Sequence, residues 1–301
     1  MKHSEAFMTG RRRLGRGAAI ACAMLCAPLH ASTYYPQQET CPVGGEKFEF
    51  MALGSISQWG ALPDGMPIGS GSFPIQAPQC PGNGLVMYRD FTPAEVKLLE
   101  AFVGSADYKA LRAAGETPYY LAYRTAKALG EDNPAGLLLN ATWEAKNADP
   151  AGERARRYNA EFVALVGGMK ADAAAFESIA LRARAANALR ELGRFEEAEA
   201  LRASIAIAPD AGGTGEDAPE NRAGWGRYLA LLAAPIARQD PVRTPIDLIG
   251  DREAVFRCIA QAAAAKGKEA APEPLTAFET EYCARPQLAA QIAEQRKRLA
   301  N

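Results

Sequence analysis

Two short stretches limit what this 301-residue chain can fold into: Cys41-Pro42-Val43-Gly44-Gly45 and Cys80-Pro81-Gly82-Asn83-Gly84. Each reads as Cys-Pro-x-Cys-Gly with its second cysteine replaced, by Gly44 in one and Asn83 in the other. Two intact Cys-x-x-Cys knuckles supply four thiolates for tetrahedral zinc. One cysteine per knuckle cannot, so no metal and no other cofactor is expected. Gly44 and Asn83 both tolerate left-handed backbone angles, and the turns are expected to survive the loss of their second sulfurs.

Residues 1–31 read as a leader. Arg11, Arg12, Arg13 and Arg16 precede an apolar run at 18–29, and Leu29-His30-Ala31 ends in a small residue before Ser32. The run is too short to cross a bilayer. General secretion is the expected route; a twin-arginine signal and a lipoprotein ending at Cys22 are the alternatives. Cleavage removes both histidines, Lys2, the four arginines and Glu5, leaving 29 basic and 34 acidic residues, a net charge of −5. A mildly acidic surface excludes nucleic acid as a partner, since its phosphates require a basic footprint. No transmembrane segment follows the leader.

The mature chain keeps Cys41, Cys80, Cys258 and Cys283. Four cysteines in an exported chain admit two bridges in three connectivities. Proximity along the chain favours Cys41 with Cys80 and Cys258 with Cys283; four buried free thiols are the alternative.

Residues 32–91 read as a small β and loop unit. Phe48-Glu49-Phe50-Met51-Ala52-Leu53 and Leu85-Val86-Met87-Tyr88 suit strands. Between them, 54–79 is a Gly/Pro/Ser-rich excursion anchored by Trp59 and Phe73, with turn chemistry at Pro63-Asp64-Gly65. It reads as an irregular cover.

From Thr92 the pattern changes to helix. Thr92-Pro93-Ala94-Glu95 is a capping box, and the cap-then-proline device recurs at Thr117, Asn133 and Asp149. Helices are expected near 93–103, 106–114, 118–129, 134–147, 150–166, 172–192 and 194–207, as stacked hairpins. Ala185, Ala186, Leu189, Gly193, Ala198 and Pro209 fall near tetratricopeptide spacing. Residues 92–209 thus read as a helical-repeat domain. A polar, glycine-rich flexible loop is expected at 210–221. C-terminal helices at 222–301 are expected to pack on the repeat domain, with segments near 225–236, 251–266, 275–283 and after 286.

The two knuckles, Leu121-Ala122-Tyr123-Arg124-Thr125-Ala126 and Leu192-Gly193-Arg194-Phe195-Glu196-Glu197-Ala198 together carry a resemblance. The chain resembles the bacterial domain of unknown function 2225 family, in which a zinc-ribbon-like Cys-Pro-x-Cys-Gly pair precedes tetratricopeptide-like helices. The resemblance spans roughly residues 40–208. It implies a mainly α fold with a small N-terminal β unit derived from the knuckles. In the family a metal would close that unit; here the surviving cysteines are read as a disulfide that takes over the clamp. No established activity comes with the resemblance.

With no mature histidine, Ser-His-Asp and Cys-His nucleophile systems are excluded. Glu95, Glu100, Glu144, Glu153, Glu161 and Glu177 offer carboxylates, but all fall on expected helices as solvated positions. No catalytic residue is assigned. Aromatic residues are the best binding candidates: Tyr119 and Tyr123 share a helix face, Trp143 lies on the adjacent helix, and Trp59 anchors the excursion. The function expected is an exported helical-repeat module that binds a protein or peptide in the cell envelope. The alternative is a carboxylate-based cell-wall glycan hydrolase or glycan binder. Mass spectrometry of the protein from its native host is expected to find a mature N-terminus at Ser32; intact Met1 on the bulk of the protein overturns the export reading.

Overall fold

The first knuckle is the connection of a β-hairpin. In the computed structural model, which describes residues 32–264 and 274–300, β1 (Thr33–Thr40) and β2 (Lys47–Ser55) pair antiparallel, with Thr40 opposite Lys47. The expected leader, 1–31, lies outside the described residues. Cys41 N donates to Glu46 O at 2.8 Å, and Gly45 N donates to Cys41 O at 3.1 Å. The second knuckle repeats both bonds at the same offsets: Cys80 N to Leu85 O at 2.9 Å and Gly84 N to Cys80 O at 2.8 Å. Gly45 and Gly84 occupy equivalent places at φ +68° and +76°, where a side chain is strained.

A disulfide joins Cys41 to Cys80, with the Cα atoms 5.6 Å apart. Asn83 adds a second tie: its Nδ2 donates to Val43 O at 2.9 Å, and its Oδ1 accepts from Leu85 N at 2.9 Å. Gly82 N donates to the Glu46 carboxylate at 2.8 Å. Asn83 therefore works through its side chain and does not use the left-handed backbone it could tolerate; that conformation falls to Gly84.

The joined knuckles pack on α1 (Pro93–Gly104), α2 (Ala106–Ala113) and α3 (Pro118–Ala128). Cys41, Val43, Cys80, Leu85 and Val86 share a core with Leu99, Val103, Tyr108, Leu121 and Ala122. Tyr108 donates its hydroxyl to Gly84 O at 2.8 Å. Leu85-Val86-Met87-Tyr88 is not a strand; it makes one bridge, Val86 with Gln79. Its apolar residues fill this core instead of alternating across a sheet.

The capping box at Thr92 forms as read: the Thr92 side chain accepts from Glu95 N, and the Glu95 carboxylate accepts from Thr92 N at 2.7 Å. The chain continues through α4 (Ala135–Ala148), α5 (Glu153–Gly167), α6 (Phe176–Glu191), α7 (Phe195–Ser204) and α8 (Ala218–Ala237). From α3 to α8 each helix packs on the next. Helix α6 is the centre, buried at every position from 185 to 190. Its Leu181, Ala185 and Ala188 join Tyr158 and Phe162 of α5, while Ala186 and Leu189 join Ala198 of α7 and Leu232 and Ile236 of α8. Alanines let neighbours approach from both sides.

Helix α8 begins at Ala218, inside the stretch read as a flexible loop at 210–221. The turn before it is pinned, with Ala208 N donating to Ala173 O and Gly212 N to Ala174 O. Helices α9 (Asp251–Ala264), α10 (Ala277–Cys283) and α11 (Pro286–Ala300) enclose a separate cluster that includes Ile246, Val255, Ile259 and Leu288. The Cys258–Cys283 disulfide ties α9 to α10 within it.

The protein is thus mainly helical. Its described sheets are β1–β2 and a second antiparallel pair, β3 (Gln58–Ala61) with β4 (Pro67–Gly69), inside the excursion read as irregular.

Replacing Cys41 and Cys80 together by serine is expected to cost about 2–4 kcal/mol in urea unfolding. By hydrogen exchange, the Gly45 and Gly84 amides should lose protection while those of Gly65 and Met66 keep it.

Candidate functional site

The most elaborate polar site forms where the tip of the excursion meets the helices. Residues 62–66 make a closed turn: Leu62 N donates to Met66 O and Gly65 N to Leu62 O, both at 2.8 Å. Asp64 stiffens it by accepting the Met66 N–H on Oδ1 at 3.1 Å. Gly65 is required twice. Its φ is +86°, and a Cβ there would stand 2.5 Å from Arg184 Nε.

Helix α4 offers Trp143 and Lys146 to the tip and Asn147 to the stretch beyond it, a spacing of three and four that places them on one face. Trp143 Nε1 donates to Asp64 O at 3.2 Å. Arg184 of α6 and Tyr228 of α8 both donate to Pro63 O, at 2.9 and 2.7 Å. Farther along, Asn147 Nδ2 donates to Phe73 O and Tyr119 of α3 donates its hydroxyl to Ile75 O, both at 2.7 Å.

Charge is concentrated at Asp64, which is 2% exposed. Its Oδ2 meets Lys146 Nζ at 3.3 Å and Arg243 Nε at 3.1 Å. Lys146, 1% exposed, also meets Glu191 Oε2 at 2.7 Å. Burial alone would push the Asp64 carboxyl up, but Lys146 and Arg243 outweigh it and hold it below its ordinary value. Glu191 is held in turn by Asn187 Nδ2 at 2.7 Å and Asn159 Nδ2 at 3.1 Å. Arg190, wholly buried, donates to Asn187 Oδ1, to Asp240 O at 2.6 Å and to Val242 O at 2.7 Å. It thereby fixes the segment that presents Arg243.

The aromatic residues read from the sequence separate into three settings. Tyr119 and Trp143 both grip the excursion through its carbonyls. Tyr123 is 1% exposed and packs beside Tyr120 in the core of α3 to α6. Trp59, on β3, lies under the Arg252 guanidinium at 4.8 Å. Cys41, Cys80, Cys258 and Cys283 form the two disulfides. Sequence reading missed Asp64, Lys146, Arg184, Glu191, Tyr228 and Arg243. A usable signal was present at Trp143, Lys146 and Asn147, whose spacing puts a cation on the face that Trp143 marks.

The arrangement holds the chain's own excursion by its carbonyls. Asp64 and Glu191 lie either side of one ammonium, sealed from water. Burial raises the Glu144 carboxyl, and Glu144 accepts the Tyr119 N–H at the start of α3 at 2.9 Å. Among the described residues no three His, Cys, Asp or Glu side chains converge as metal ligands. No protein-family model, curated protein or solved structure matches the chain.

Lys146→Met removes the ammonium shared by two buried carboxylates, leaving Arg243 on Asp64 and the more distant Arg190 on Glu191. The expected cost is about 3–5 kcal/mol at neutral pH, read by urea unfolding. Asp64 contributes its stability above its ordinary value of 3.8 and loses it as pH falls through the lower folded value. The difference between Lys146→Met and wild type should therefore shrink below about pH 4.

Proposed function

We propose that this protein is an exported helical-hairpin module of tetratricopeptide-like design that holds a protein or peptide segment in the cell envelope. One observation carries the reading: side chains of α3, α4, α6 and α8 deliver hydrogen bonds to main-chain carbonyls of one irregular stretch, the turn at 62–66 and residues 73–75. Carbonyls are common to every polypeptide, so side chains that grip them bind chain with little regard to its sequence. The grip on the tip comes from the alternate helices α4, α6 and α8, as expected where helical hairpins stack and one helix of each pair lines an inner face.

Export is supported by the two disulfides, which form and persist in oxidising compartments. No described helix is long and apolar enough to cross a membrane. Kinship with the bacterial domain of unknown function 2225 family is supported by the knuckle turns, which repeat the same two main-chain bonds at Cys41 and Cys80. The glycan-hydrolase alternative needs two acids open to a substrate. Asp64 and Glu191 are closed around Lys146, and Glu144 is engaged at a helix end.

In-cell photo-crosslinking from a probe at Leu231, an exposed position on α8, is expected to capture a discrete envelope polypeptide. Release of sugar from purified cell-wall glycan, abolished by Glu144→Gln, would instead assign the protein to hydrolysis.

A further inference from the structure

The helical face is occupied by the protein's own tip, and the contacts define what could replace it. We propose that residues 62–66 act as a resident stand-in ligand, displaced by a partner polypeptide that presents an aspartate on a tight turn. The inference rests on the polypeptide-holding reading above and adds the chemistry of the partner.

Three features lead to it. First, the bonds from Trp143, Arg184 and Tyr228 end on main-chain carbonyls of Pro63 and Asp64, which another chain in the same turn would supply equally. Second, the side-chain-specific demand is for a carboxylate, met by Lys146 and Arg243. With the tip removed, Lys146 would keep Glu191 but lose its second carboxylate, and Arg243 would lose the carboxylate its Nε meets, leaving the face short of negative charge. A carboxylate-bearing segment corrects that imbalance; a neutral or basic one does not. Third, the tip is carried by β3 and β4, strands of four and three residues with β3 exposed along its length. A pair this short does not hold its own place in water. The helical face holds the tip in position, and a competitor for the face can release it.

Gly65 narrows the partner further. Its φ of +86° strains any side chain and Arg184 fills the place of a Cβ, so glycine is the favoured residue after the aspartate. The recognised element is an Asp-Gly turn, preceded by a residue whose carbonyl accepts from both Arg184 and Tyr228.

The test uses the full mature chain and a labelled, end-blocked peptide with the sequence of residues 62–69. Asp64→Ser weakens the resident tip, so the peptide should bind this variant at least ten-fold more tightly than wild type. A peptide with serine in place of its aspartate should not bind, and Arg243→Gln in the Asp64→Ser background should weaken binding. Should Asp64→Ser fail to fold, wild type with excess peptide is followed by hydrogen exchange, where faster exchange at the Gly65 and Met66 amides supports the proposal. Absence of peptide binding, with those amides protected at every peptide concentration, overturns it and makes the tip a permanent staple. A concentration-dependent dimer with exchanged tips also overturns it, because the occupant is then a second copy. Crosslinking of an envelope polypeptide that is indifferent to Trp143→Phe and Arg243→Gln would leave the polypeptide-holding reading in place while removing this one.

Discussion

The Lys146 ammonium is the interaction on which the arrangement depends. It is buried between two carboxylates from distant parts of the chain, Asp64 of the excursion and Glu191 at the end of α6. A buried cation is costly unless its neighbours neutralise it, and each carboxylate would be costly without the cation. The three groups therefore specify one another's positions. Around them a second layer is equally committed: Asn159 and Asn187 on Glu191, Arg190 on Asn187 and on the carbonyls of Asp240 and Val242. One atom falls outside this economy. Asn159 Oδ1 is buried with no hydrogen-bond partner among the described residues.

Helices were the most legible part of the sequence, because their signals are local. Thr92 with Glu95 declares the start of α1 within four residues, and the expected and observed spans agree to within a few positions through most of α1 to α7. The β structure was less legible. Strand β1 is exposed at most positions and carries Pro36, so neither alternation nor β-propensity marks it. The excursion hid its strands for the same reason, since β3 and β4 are defined by a turn whose geometry is completed by helices far along the chain.

The site was legible only in its aromatic residues. Trp143 and Tyr119 could be ranked from type and spacing, but the partner of Trp143 is the carbonyl of Asp64, 79 residues away. Lys146 reads in sequence as a solvated helix charge, as most lysines are, and only tertiary structure turns it inward. Tyr123 shows the opposite error of pattern: sharing a face with Tyr119 did not give it the same role, because the helix turns it into the core. At the knuckles, the pairing of Cys41 with Cys80 was legible, while the way Asn83 bridges to Val43 was not.

The long reach of the Asp64 contacts bears on the order in which the molecule assembles. Asp64 meets Lys146 across 82 residues and Arg243 across 179, whereas α4 to α7 pack between neighbours in the chain. Local contacts close early and distant ones late, because the entropy of closing a long loop must be met first. The helical stack accordingly forms as a surface before the residue that completes the grip on the tip has been brought into place. The contacts of Asp64 are expected to be among the last to close, with the tip ordering only once Arg243 is in place.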